Sequence, residues 1–185
     1  MRRLASAAIV LSLAAISAVK AQTKADEEAV QNLPRAFAAA FNKHDGHQLA
    51  QIMADDVDFV TVGAMWLHGR QEFEKYHTRL LNGRFRDIKF KVLNVAVRFL
   101  RPDIAIVHWS WTGSGDKNPD GTARKRRYGM MTTVAEKRSA GWLVVASQND
   151  NAEPWSPLEG EMPKLAMPIP GPDEEARSPT RGRSD

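Results

Sequence analysis

The sequence predicts an α+β domain, with helices first and a long antiparallel sheet after. Three observations predict it. Up to about residue 82, apolar residues recur at spacings of three and four, the period of an amphipathic helix. From Lys89 the period changes to two, over four successive runs joined by turn residues. The chain of 185 residues is 43% hydrophobic and has no Cys, so one domain must stand on its apolar core without disulfides. Helices followed by an antiparallel meander is an α+β layout.

The elements follow in order. Residues 25–43 read as a helix, with Val30, Leu33, Phe37, Ala40 and Phe41 on one face. Pro34 interrupts it: either the helix kinks there, or its strong part starts near Leu33 with Pro34 in the first turn. Asp45-Gly46 ends it and can cap a short second helix carrying Leu49, Ile52 and Met53. Asp58 to Val62 alternates and reads as a strand. Trp66 stands in a short loop before a third helix, Gly69 to Leu81, which Asn82-Gly83 stops. Lys89–Leu100, Ile104–Thr112, Arg126–Ala135 and Trp142–Gln148 are the four sheet runs. A strongly twisted sheet of this length would curl around the helices and leave an open end. Concave apolar pockets of that kind host small ligands.

The two ends of the chain read differently from its middle. Met1-Arg2-Arg3, an apolar stretch from Leu4 to Val19, and Val19-Lys20-Ala21 have the order of a secretory signal peptide, with a cut after Ala21. An uncleaved N-terminal anchor is the alternative. Residues 22–151 are then the domain, exported to the periplasm or secreted. Seven of the ten prolines lie after Glu153, so residues 152–185 read as a Pro-rich, largely disordered tail. The whole chain carries 26 Lys and Arg against 22 Asp and Glu. Removing Arg2, Arg3 and Lys20 leaves it nearly neutral, which takes away the compositional support for nucleic-acid binding. No stable membrane insertion is expected once the leader is cut.

The third helix carries the most informative chemistry. Phe73, His77, Leu80 and Leu81 share its apolar face, with Tyr76 at the edge. The inward imidazole of His77 is either an acid or base on a pocket wall or a core histidine bonded to a carbonyl; the sequence leaves both open. In the run from Ile104, residues Ile106, His108, Ser110 and Thr112 share one face, and Val107, Trp109 and Trp111 the other. The Trp pair either stacks on a flat ligand or packs. Asp55, Asp56 and Asp58 are a turn leading into a strand, or a base or cation site. His44 and His47 lack a third ligand at metal spacing, so no metal site is assigned. Gln148, Asn149 and Asp150 can orient a carbonyl or begin a loop. Arg124-Lys125-Arg126-Arg127 is either an attractor for an anionic ligand or membrane surface, or a solvated strand edge that discourages aggregation. No phosphate loop, nucleophile elbow or zincin motif is present.

An ordered set of short elements carries a family resemblance. These are Phe41-Asn42-Lys43-His44-Asp45, Asp58-Phe59-Val60 and Trp66-Leu67-His68-Gly69-Arg70. Arg98 to His108, Gly129-Met130-Met131-Thr132, and Gly141-Trp142 leading to Gln148-Asn149 complete it. Over residues 26–152 the chain resembles the SgcJ/EcaC group of SnoaL-like proteins, in the nuclear-transport-factor-2-like superfamily, also called ketosteroid-isomerase-like or cystatin-like. The resemblance implies a cone-shaped roll, a cavity at its wide end and a homodimer. Relatives include cyclases, isomerases, dehydratases and proteins without a reaction, so it implies either a cofactor-free proton-transfer enzyme or a binding or assembly module. The oxidoreductase label used for the group has no cofactor motif behind it here, and no cofactor is expected. The positions matching the pocket are Trp66, His77, His108, Met131 and Asn149. His77 is the candidate acid or base, Asn149 or Tyr76 the carbonyl donor, and Trp66 and Trp111 the walls around a small apolar ligand.

Overall fold

The computed structural model describes residues 23–152. The expected leader, and the expected tail apart from Ala152, lie outside the described residues. The elements are α1 (Lys24–Asn42), α2 (Gly46–Ala50), β1 (Met53–Val60), β2 (Trp66–His68), α3 (Arg70–Asn82), β3 (Lys89–Arg101), β4 (Ile104–Ser114), β5 (Arg127–Arg138) and β6 (Gly141–Asn151). The strands form one curved, unclosed sheet in the order β2-β1-β6-β5-β4-β3. From β3 to β6 it is the expected antiparallel meander; β1 then adds to β6 in parallel. Register shifts in the β3–β4 and β5–β6 ladders interrupt the pairing, and such bulges sharpen strand twist.

Helix α1 starts at Lys24, not near Leu33. Thr23 and Asp26 form a capping box that satisfies the first free N–H groups, and the helix runs through a buried Pro34. The apolar face of α1 carries it there: Val30, Leu33, Phe37, Ala40 and Phe41 are all buried. At its end, Asn42 replaces a missing strand neighbour. Its Nδ2 donates to the Phe90 carbonyl at 2.7 Å and its Oδ1 accepts the Phe90 N–H at 2.8 Å. This locks α1 to edge strand β3 and sets Phe41 beside Phe90, with ring centroids 4.9 Å apart.

Three local expectations need correction. Helix α2 stops at Ala50, so Met53 opens β1 and is not helical. The acidic run lies inside β1, where Asp58 pairs with His68 of β2. Trp66 belongs to β2, a short strand and not a loop, because the Gly63 turn lets the chain fold back on β1. In β4, the tertiary packing chooses the face that alternation left open. Val107, Trp109 and Trp111 point into the core, while His108 and Thr112 face the other side.

The core is aromatic. Phe37 lies 5.4 Å from Trp109, and Phe90 stacks on Trp111 at 5.3 Å. Each such ring contributes about 1.5–3 kcal/mol on burial. Gly129, opposite Trp111 in the β4–β5 ladder, has no room for a side chain: a Cβ there would enter the Trp111 indole and the Asp150 carbonyl. The bare backbone of β5 is what lets that indole lie flat.

Candidate functional site

A cavity of about 60 Å³ opens between α1, α3, the end of β1 and the inner face of the sheet. A buried water needs roughly 10–15 Å³ of such space, so a small organic group fits. Phe37, Phe41, Phe59, Phe90 and Trp111 make its apolar walls. Its polar groups are few and come from separate elements.

His77 reaches it from the middle of α3. The ring is 4% exposed and packed among aromatics, with Phe73 at 4.0 Å and the edge-on Phe59 at 5.5 Å. Nδ1 lies 2.9 Å from the Phe73 carbonyl one turn earlier. A carbonyl only accepts, so Nδ1 carries the proton and Nε2 carries the lone pair. Among the described residues no group partners Nε2, and His77 lines the cavity. Burial disfavours the imidazolium and pushes the His77 pKa down to about 4, against a weaker opposing effect of the carbonyl. The ring is therefore neutral at pH 7.

Asn149 enters from β6. Trp111 Nε1–H donates to its Oδ1 at 2.9 Å. Indole only donates, so this bond fixes which way the amide points and leaves Nδ2 without a described partner in a residue that lines the cavity. Tyr76 and Thr61 also line the space. Two residues that line the cavity thus carry a ring lone pair and an amide N–H that no described group engages. That combination can accept a proton and bind a developing oxyanion.

The structure brings His77, Tyr76, Trp111 and Asn149 together at this cavity. It places the other three expected residues elsewhere. His108 points to the opposite face of the sheet, where Nδ1 lies 3.1 Å from Thr132 Oγ1, because residues 107, 109 and 111 take the inward positions. Met131 is inward but lies beneath Trp109, at a separate void of about 10 Å³. Trp66 is 64% exposed on β2, and its Nε1–H donates to Asp58 Oδ1 at 2.8 Å.

The acidic run is divided among separate cations. Asp55 meets Arg70, Asp56 meets Arg138, and Asp58 is held by His68 and Trp66. The His68 and Trp66 hydrogen bonds lower the Asp58 pKa, and Asp58 in turn raises that of His68. His47 turns to Glu74, away from His44. Among the described residues, no three His, Asp or Glu converge as a metal site.

Alternation along β5 could have found one missed residue. Arg127 shares inward parity with Gly129, Met131 and Thr133, and its side chain is only 13% exposed. It is not a solvated strand edge. Arg84 and Arg124 join it around the cavity. Arg84 left no such signal, since it lies in the irregular link between α3 and β3.

This geometry defines a cone-shaped roll with a small apolar cavity at one end. A SnoaL-like domain model matches residues 35–142, more than half of the sequence. The chain belongs to the SnoaL-like domain family, within the nuclear-transport-factor-2-like superfamily. Solved structures share the fold. An uncharacterised cystatin-like protein from Caulobacter vibrioides is 25% identical, with a TM-score of 0.66 over 70% of this chain and 92% of that one. A proposed scytalone dehydratase from Novosphingobium aromaticivorans is 14% identical, with a TM-score of 0.61 over 70% and 85%. A type 2 hexachlorocyclohexane dehydrochlorinase (LinA) is 16% identical, with a TM-score of 0.63 over 70% and 86%. No curated protein matches the sequence significantly. No described helix is long and apolar enough to cross a membrane.

Proposed function

We propose that this is an exported cavity protein that holds a small, mostly apolar carbonyl compound and moves a proton next to its carbonyl. The observation that carries the reading is His77: a buried imidazole lining the cavity, with one nitrogen bonded and no described partner for the other. In the step itself, Nε2 takes a proton from the carbon beside the carbonyl. The C–H electron pair moves into the carbonyl, and the oxygen, now an enolate, accepts the Asn149 Nδ2–H. Return of the proton to another carbon completes an isomerisation; in an elimination the enolate pair re-forms the carbonyl and a C=C bond, the group on the next carbon leaves with its bonding pair, and it takes the proton from Nε2. Two fold relatives, named as a dehydratase and a dehydrochlorinase, carry names of elimination reactions. A neutral ring has its lone pair free at pH 7, and its low pKa suits a substrate whose C–H is already acidic.

A ketone panel screened by thermal shift, with product analysis of each hit, tests this. Turnover that disappears in His77→Gln while the hit still binds is the expected result. Turnover unchanged in His77→Gln removes the role.

Binding without turnover is the second reading. The bond from Nδ1 to a helix carbonyl favours it, because no carboxylate stands behind the ring to raise its basicity. Hits that bind and are recovered unaltered would select it. We also propose export with removal of residues 1–21, and a homodimer. Periplasmic fractionation with intact mass, and native mass of the product, read these two directly.

A further inference from the structure

We infer that the ligand of this cavity is a ring-bearing carboxylate, with its ring among the aromatic walls and its acid group at Arg84 and Arg124. The inference rests on the cavity reading above and adds the ligand's charge to it.

Among the described residues that line the cavity, three are arginines and none is acidic. They arrive from separate segments that the backbone ties together. The Lys117 N–H donates to the Arg84 carbonyl, and the Arg124 N–H donates to the Asp116 carbonyl, so the β4–β5 connection brings Arg124 alongside Arg84. Arg84 and Arg127 each place a guanidinium carbon 5.5 Å from the Phe85 centroid, and Arg127 lies 5.4 Å from Trp111. Arg84 and Arg127 therefore sit over aromatic rings that line the cavity.

They differ in what they already hold. Arg127 is fully engaged: Nε and Nη2 donate to Asp116 Oδ2 at 3.1 and 2.7 Å, and Nη1 donates to Asn151 Oδ1 at 2.9 Å. It is a fixed part of the wall. Arg124 approaches the same Asp116 oxygen only to 3.5 Å. Arg84 has no carboxylate within ion-pair distance among the described residues. Asp116 thus offsets one of three charges, and the N–H groups of Arg84 and most of Arg124 are unspent. Burial is the main cause that lowers the Arg127 pKa; Asp116 opposes it, and repulsion from the neighbouring charges of Arg124 and Arg84 adds smaller lowering effects.

An anion here would relieve that repulsion. Planar guanidinium forks match a carboxylate in particular. The space is too small and too aromatic for a large charged group, so the acid belongs at the rim and a single ring inside.

Benzoate and its neutral isostere benzamide test this on the full chain, with the Trp111 Nε1–H resonance as the cavity reporter. At low ionic strength benzoate should bind about tenfold more tightly than benzamide, and added salt should erase the difference. Arg84→Gln with Arg124→Gln should bring benzoate down to the benzamide level and leave benzamide unchanged. Arg84→Gln alone, which removes no ion pair, serves if the double variant folds poorly. Equal binding of the two probes, or benzoate binding indifferent to both substitutions, overturns the carboxylate and leaves the cavity reading standing. No movement of the Trp111 resonance with either probe overturns both.

Discussion

Two buried ionisable side chains sit in different parts of this domain, and the protein treats them in opposite ways. Asp26, at the start of α1, is surrounded by donors. Thr23 donates from its hydroxyl and backbone, Trp142 Nε1–H donates at 2.9 Å, and Lys137 Nζ lies 2.6 Å away. These contacts, Lys137 first, hold its carboxyl far below the ordinary carboxylate range. Among the described residues His77 has one hydrogen-bond partner, its own helix, and it lines a cavity. Counter-groups keep Asp26 charged against the opposing effect of burial, and burial without them keeps His77 neutral. A saturated polar cluster fixes the fold; a half-saturated one facing space is free to meet a ligand.

The comparison can be broken most sharply at its structural end. Asp26→Ala removes the capping box and leaves the buried Trp142 indole N–H without its acceptor, so it should clearly destabilise the domain. Trp142→Ala should cost about 3–5 kcal/mol. Urea midpoints read both, and an Asp26→Ala midpoint close to wild type would erase the distinction.

Acid separates the two groups next. His77 has a folded pKa of about 4, below the ordinary 6.5, so protonation favours the unfolded chain between those values. Its contribution is fully present above pH 6.5 and is lost as pH falls toward 4, about 3 kcal/mol in all. The Asp26 contribution, from a lowered carboxyl pKa, persists through that window and fades only below the ordinary carboxylate range. His77→Leu should flatten the upper window alone. A wild-type profile with no slope between pH 6.5 and 4 would mean that the ring is not held neutral.

A smaller effect belongs to the cavity wall. Gly129→Ala should cost about 1–3 kcal/mol, because the added methyl drives into the Trp111 indole. It should also shift the Trp111 Nε1–H resonance, by disturbing the bond to Asn149. The smallest effect is expected at Trp66, exposed on β2: Trp66→Ala should stay within about 0.5 kcal/mol and leave cavity binding intact. Weakened binding in that variant would bring Trp66 back into the site.

Much of this arrangement was legible in the chain. The helical spacing of Phe73, His77 and Leu81 faces all three inward, and all three are buried. The parity of β4 separated His108 from Trp109 and Trp111 correctly, but alternation is symmetric and cannot say which face is the core. The family motif then pointed to His108 and Trp66, which the sheet turns outward. Arg127 was hidden for a related reason. As part of a four-residue basic run it resembles a solvated edge, and only the buried Asp116 and the rings of Phe85 and Trp111 draw it in.

The sequence by itself determined the main helices, the four-stranded meander and the inward direction of His77, because burial follows from short-range periodicity that every residue carries locally. The tertiary structure alone decided the partners: Trp111 with Asn149 across 38 positions, and Asp26 with Trp142 across 116. A hydrogen bond needs two groups within about 3 Å, and that proximity exists only after the sheet has curved around α1.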